Sequence, residues 1–117
     1  MIDTVQDIHM PHDRQYNVET ESSDKLIKML YDGVIRFNLQ AKRAIKEKDI
    51  EKKVYWVNRS IAIITELIGM LDYTNENAYY LSGLYNYQMQ LLFDVVKENN
   101  IKKLDECTNV FRYLMEH

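Results

Sequence analysis

Few side chains in this 117-residue sequence are of types that could do covalent or metal chemistry, and their spacing argues against it. His9 and His12 lie three apart around Pro11, but a metal site needs further fixed ligands, and this pair falls in the polar N-terminal stretch, which is expected to be mobile. No Glu-x-x-His pair occurs, so a carboxylate-bridged di-iron bundle is excluded. Cys107 is the only cysteine and falls on an apolar helical row with no histidine near it in sequence, so it reads as a small buried hydrophobe rather than a nucleophile. Asp105 and Glu106 are adjacent on a helix and point to different sides, so they cannot share acid–base work. There is no phosphate-cradling glycine loop and no nucleotide fingerprint. The expectation is a protein that is not an enzyme and has no cofactor and no metal.

What the sequence does carry is recognition chemistry. It has nine tyrosines and six methionines. Tyr79, Tyr80, Tyr85, Tyr87 and Met89 fall within eleven residues, and on a helix they must cover most of its circumference. Some of them cannot be core. Tyrosine offers large apolar area with a polar tip and is favoured at interfaces, while methionine repacks against varied partners. Such a surface suits an amphipathic partner docked between helices. A second candidate, the run Lys42–Lys53, holds six Lys/Arg and three acids and is net positive. The whole chain is net −3, however, which disfavours nucleic acid as a partner and leaves this run as a solvated connection between helices.

These groups must be positioned by helices. Pro occurs once and Gly three times, too few turn-formers for a β-rich fold, and the apolar periodicities are long. Residues 1–21 are polar and hold scattered apolar residues, and they are expected to form a mobile N-terminal arm with room for a short extra helix. Residues 22–117 are expected to form an all-α, antiparallel, up-and-down four-helix bundle. The first helix starts at Ser22 or Ser23, either of which can cap it, with Asp24 favourable in the first turn. It shows one apolar row through Leu26, Leu30, Val34, Phe37 and Ala41 and a second through Ile27, Tyr31 and Ile35, so it needs more than one neighbour. Asp49 caps a second helix over Ile50 to about Leu71, with rows through Val57 and Ile64 and through Trp56, Ile63, Leu67 and Met70; it is expected to be central. Asp72–Asn77 is a turn by composition. A third helix runs from about Glu76 to Glu98, one face marked by Leu81 and Tyr85 and an adjacent one by Tyr80, Leu84, Tyr87 and Leu91. Gly33 and Gly83 sit in mid-helix, which suggests close helix approach or a groove needing room. Asn99–Asn100 break the chain before a last amphipathic helix, Ile101 to about Met115, expected to cover an edge. The ending at Glu116–His117 is abrupt, so the natural chain is expected to continue.

The lone cysteine suits a reducing compartment. No apolar run is long enough to span a membrane, and the acidic N-terminus is no secretory signal.

The stretch ESSDKLIKMLYDGVIRFNLQAKRAI, followed by ITELIGMLDY and YLSGLYNYQM, resembles the flagellar secretion chaperone family of the FliS type. Met29-Leu30-Tyr31-Asp32-Gly33, with Arg36-Phe37 after it, is the most specific part, and the likeness runs from about Tyr16 to the end. The resemblance implies a cytoplasmic four-helix bundle that binds the C-terminal region of flagellin, prevents its premature polymerisation and keeps it competent for type III export. It further implies a tyrosine-bearing arm that lies over the groove, and the export gate and co-chaperones as additional partners, with the protein a monomer or weak homodimer. The chain departs from the family pattern in having Ser23 where proline is usual, Asp13 in the first place of a Tyr-x-x-Tyr arm motif, and Thr74–Asn77 in place of a longer Gly-Gly loop. The partner-binding candidates are Tyr16, Ile27, Tyr31, Leu67, Met70, Leu81, Leu84, Tyr85 and Met89. The competing reading is a divergent, self-associating or regulatory interaction module without a flagellin client.

Overall fold

A computed structural model of the chain describes the backbone from His12 and side chains from Ser22 to His117. Four helices follow one another: α1 (His12–Lys46), α2 (Ile50–Gly69), α3 (Asn77–Glu98) and α4 (Ile101–Glu116). There is no strand among the described residues. The connections are too short for anything but antiparallel neighbours. α1 packs on α2 and α4, and α3 packs on α2 and α4, so the helices sit at the corners of a square with α1 diagonal to α3. The second helix is therefore not central as the sequence suggested; each helix has two neighbours.

Local chemistry explains each boundary. Asp49 accepts a hydrogen bond from the Lys52 amide and caps α2, as expected. Asn100 caps α4 in the same way through the Lys103 amide. Asn99, in the left-handed region at φ 54°, ends α3 with its amide on the Val95 carbonyl. Between α2 and α3, Asp72 accepts from both the amide and the hydroxyl of Thr74, and Asn75 accepts from the Asn77 amide. Two successive side-chain-to-backbone turns thus do the work of a glycine loop. The Thr74 bonds also hold the Asp72 carboxyl below its usual range.

The first helix departs from expectation. It begins at His12, well before Ser22, and those serines lie inside it. Nothing in the sequence after Pro11 breaks a helix, and proline is best tolerated just at a helix start. A serine can cap a helix, but it does not end a preceding one. Residues 1–11, His9 among them, lie outside the described residues, as does the side chain of His12.

The core closes with two polar ties. Tyr31 on α1 and Tyr85 on α3 share a hydroxyl–hydroxyl bond of 2.6 Å across the diagonal, and Phe111 of α4 packs on both rings. Farther along, Ser60 of α2 donates to Asn38 of α1 (2.6 Å), Asn38 donates to Thr108 of α4 (3.2 Å), and Thr108 donates to the Leu104 carbonyl. All three side chains of this chain of bonds are buried. Between them the two ties fix the register of all four helices. Among the described residues one buried group is left over: neither amide atom of Gln88 has a partner there.

Gly33 is a close-packing point. A Cβ there would lie 2.8 Å from Ile63 Cδ1 on α2. Gly83 is different, since a Cβ there would meet nothing within 4 Å.

Candidate functional site: the α3–α4 groove

Burial separates the tyrosines that the sequence left mixed. Tyr85 is core, whereas Tyr79, Tyr80 and Tyr87 are exposed, Tyr80 at 70%. Tyr80, Leu84 and Tyr87 stand at helical spacing on one side of α3. Facing them on α4 are Glu106, Val110, Tyr113 and Leu114. Leu84, Val110 and Leu114 are half-buried and form the floor; Tyr80 and Tyr113 are exposed and form the walls. The groove between them has a cavity of about 390 Å³. Its lining is mostly apolar, with Glu106 and Asn109 at the edge.

Three fixed points shape it. At one end the Glu106 carboxylate of α4 stands near the Tyr87 phenol of α3 and pushes its pKa up. Next to it, Lys103 donates to Asp94 at 2.8 Å, holding that carboxyl below its usual range and the ammonium above its own. At the other end Tyr113 stacks on His117, whose Nδ1 lies 2.8 Å from the Tyr113 carbonyl oxygen. No charge stands among the floor residues, so the groove discriminates by shape and apolar area, with polar contacts at its rim. Its shape suits a helix or an extended apolar segment, and Glu106 is the one ionisable carboxylate among its lining residues.

The residues singled out from sequence fall into three groups. Tyr31, Leu67 and Tyr85 are buried in the core and line no surface in this structure. The reason is physical: a second apolar row on a helix in a square bundle faces the diagonal helix, and these side chains close that diagonal. Ile27, Leu81, Leu84 and Met89 are half-buried, and Met70 is exposed at the end of α2. Only Leu84 lies in the α3–α4 groove; Met89 instead meets the Thr65 hydroxyl of α2 through its sulfur, at 3.7 Å. Tyr16 is in the helical backbone of α1, and its side chain lies outside the described residues. The α4 half of the groove was missed. Its signal was a second row, Glu106, Val110 and Tyr113, beside the clean face Leu104, Cys107, Phe111 and Leu114. A row with one acid and one tyrosine reads as solvated until its neighbour is known.

Cys107 is fully buried, and burial pushes its thiol up to about 12, with nearby Asn38 opposing and the Glu106 charge adding. Among the described residues no His, Cys, Asp and Glu come together as a group that could hold a metal ion. Nor is any helix there long and apolar enough to cross a membrane.

Comparison with known proteins gives two findings. The family model described as "Flagellar protein FliS" matches residues 7–117. The flagellar secretion chaperone FliS of Campylobacter jejuni subsp. jejuni is 50% identical over 98 residues, covering 82% of this chain and 77% of the relative.

Proposed function

Because the chain belongs to the FliS family of flagellar secretion chaperones, we propose that it binds the C-terminal region of flagellin in the bacterial cytoplasm and that the α3–α4 groove is a principal seat for it. The observation that carries the proposal is the groove itself: an apolar floor of Leu84, Val110 and Leu114 between exposed tyrosine walls. Exposed aromatic area of this kind is paid for in solubility and is retained where a partner covers it. An amphipathic flagellin segment would lay its apolar stripe on the floor and its backbone or polar residues against the tyrosine hydroxyls.

Covered in this way, the segment is withheld from the helix pairing that drives filament assembly. It is released when the export gate offers a better alternative. Affinity must therefore be moderate. Coupled folding supplies that moderation, because ordering the segment costs several kcal/mol of the gross contact energy. Ile27, Met70, Leu81 and Met89 extend the proposed contact along neighbouring faces, and Tyr16 is the proposed arm residue.

The test is to mix the chain with a flagellin C-terminal peptide and follow far-UV circular dichroism. Helicity should exceed the sum of the parts at a 1:1 ratio. Replacing Tyr80 and Tyr113 together by serine should weaken binding by about 2–4 kcal/mol, the range of two interface aromatics, while the unbound chain melts as before. An additive dichroism signal would end the proposal.

A further inference from the structure

We infer a second docking surface, on the side of the bundle opposite the α3–α4 groove, built for an acidic amphipathic helix of another protein. It lies between α1 and α2. Since α1 never packs on α3, nor α2 on α4, a partner seated between α1 and α2 is on the far side of the square from one seated between α3 and α4. The inference does not depend on which client fills the α3–α4 groove.

The surface is organised around Arg59. Its guanidinium sits 4.7 Å from the centre of the Phe37 ring and 5.6 Å from that of Tyr55, and it donates to the Tyr55 hydroxyl at 2.8 Å. Trp56 ties the patch together, 5.4 Å from Phe37 and edge-on to Tyr55 at 4.9 Å. Beside these residues a cleft of about 260 Å³ is lined by Arg36, Phe37, Leu39, Gln40 and Trp56. Leu39 and Tyr55 are both exposed, although each carries large apolar area. Trp, Tyr and Arg held rigidly around a cleft form the residue set that dominates binding energy at interfaces.

Charge identifies the partner. Arg36 is paired with Asp32, Arg43 with Glu47, and Lys52 with Asp49, each on its own helix or its cap. Arg59 has no acid partner among the described residues. It is instead oriented by aromatic rings, which hold its fork in place without using its charge. A carboxylate brought to it gains a charge-assisted, geometrically fixed bond. In the Lys42–Lys53 run, Lys42 pairs with Asp105 of α4 and Lys53 is buried with its ammonium on the Val96 carbonyl, so the cations the run leaves for an acidic segment are the exposed Lys46 and Lys48 at the α1–α2 connection. The occupant is thus a helix with apolar anchors for the cleft and a carboxylate one turn from them.

Trp56 is the only tryptophan of the chain, so its emission reads this surface directly. The full chain is titrated with a synthetic helical peptide carrying two leucine anchors one turn apart and flanking glutamates. Parallel titrations use the same peptide with lysine for glutamate, and a single-stranded oligonucleotide. A saturable change in emission is expected for the glutamate peptide alone. Arg59→Gln should weaken it about tenfold, the loss of one charge-assisted anchor, while leaving the melting curve and the affinity for a flagellin C-terminal peptide unchanged. Saturation with the flagellin peptide should leave the glutamate peptide's affinity as it was. No saturable change, an equal response to the lysine peptide, a tighter response to the oligonucleotide, or competition between the two peptides would each overturn the inference. If the flagellin peptide fails to bind at all, the Trp56 titration still reads the second surface independently.

Discussion

Gln88 is the residue whose environment least suits its chemistry. It is fully buried, and both amide atoms lack partners, although a bonded chain of Asn38, Ser60 and Thr108 crosses the same core. A buried amide without hydrogen bonds costs about 1–3 kcal/mol. Gln88→Leu, close in volume, should therefore stabilise the chain by about 1–2 kcal/mol, read as a shift of the urea midpoint with no change in slope. No shift would mean that the amide is satisfied in solution. The Tyr31–Tyr85 bond obeys the opposite logic. Tyr31→Phe leaves the Tyr85 hydroxyl buried alone and should cost about 1–3 kcal/mol, whereas removing both hydroxyls should cost less than the two single losses summed. A double-mutant cycle measures this; strict additivity would show the two hydroxyls to be uncoupled.

At the scale of elements, the two mid-helix glycines predict opposite responses. Gly83→Ala meets no atom and should stabilise α3 by about 0.5–1 kcal/mol. Gly33→Ala offers the same helical gain but drives a Cβ to 2.8 Å from Ile63 Cδ1. Its net effect should be zero or negative, and Ile63→Val, by shortening that side chain, should restore the gain in thermal melts. The sequence pointed to both glycines as close approach or room for a groove; Gly33 is a close approach, whereas Gly83 faces open space and lines none of the described clefts. The sequence also made legible the caps at Asp49 and the Asn99–Asn100 break, because capping chemistry is local. It misplaced the start of α1, because nothing local stops a helix at a serine. It could not separate Tyr85 from Tyr87, two residues apart on one helix, because burial is decided by α4 and α1 rather than by α3. The Val110–Tyr113 half of the groove was illegible for the same reason: a groove belongs to two helices, and periodicity describes one at a time.

For the whole molecule, stability and binding should be linked in a way that identifies the groove. Cys107 and Tyr85 are both buried and neutral, and burial pushes both upward, Cys107 from 9.0 to about 12. The unfolded chain loses these protons first. Their contribution to stability is thus intact below the ordinary thiol value and is lost as pH rises from there toward the folded values. Denaturation midpoints should fall through that alkaline window, and Cys107→Ala should flatten the fall. A ligand that binds only the folded bundle counters such losses by mass action, adding about 2.7 kcal/mol at a hundredfold excess over Kd. A flagellin C-terminal peptide should accordingly raise the melting temperature of the wild-type chain and of Gln88→Leu alike, since the core is shared. It should raise that of Tyr80→Ser/Tyr113→Ser much less, although that variant melts normally by itself. An equal rise in the wall variant would place the peptide elsewhere on the bundle. A rise lost in Gln88→Leu but kept in the wall variant would mean that binding requires the core to open.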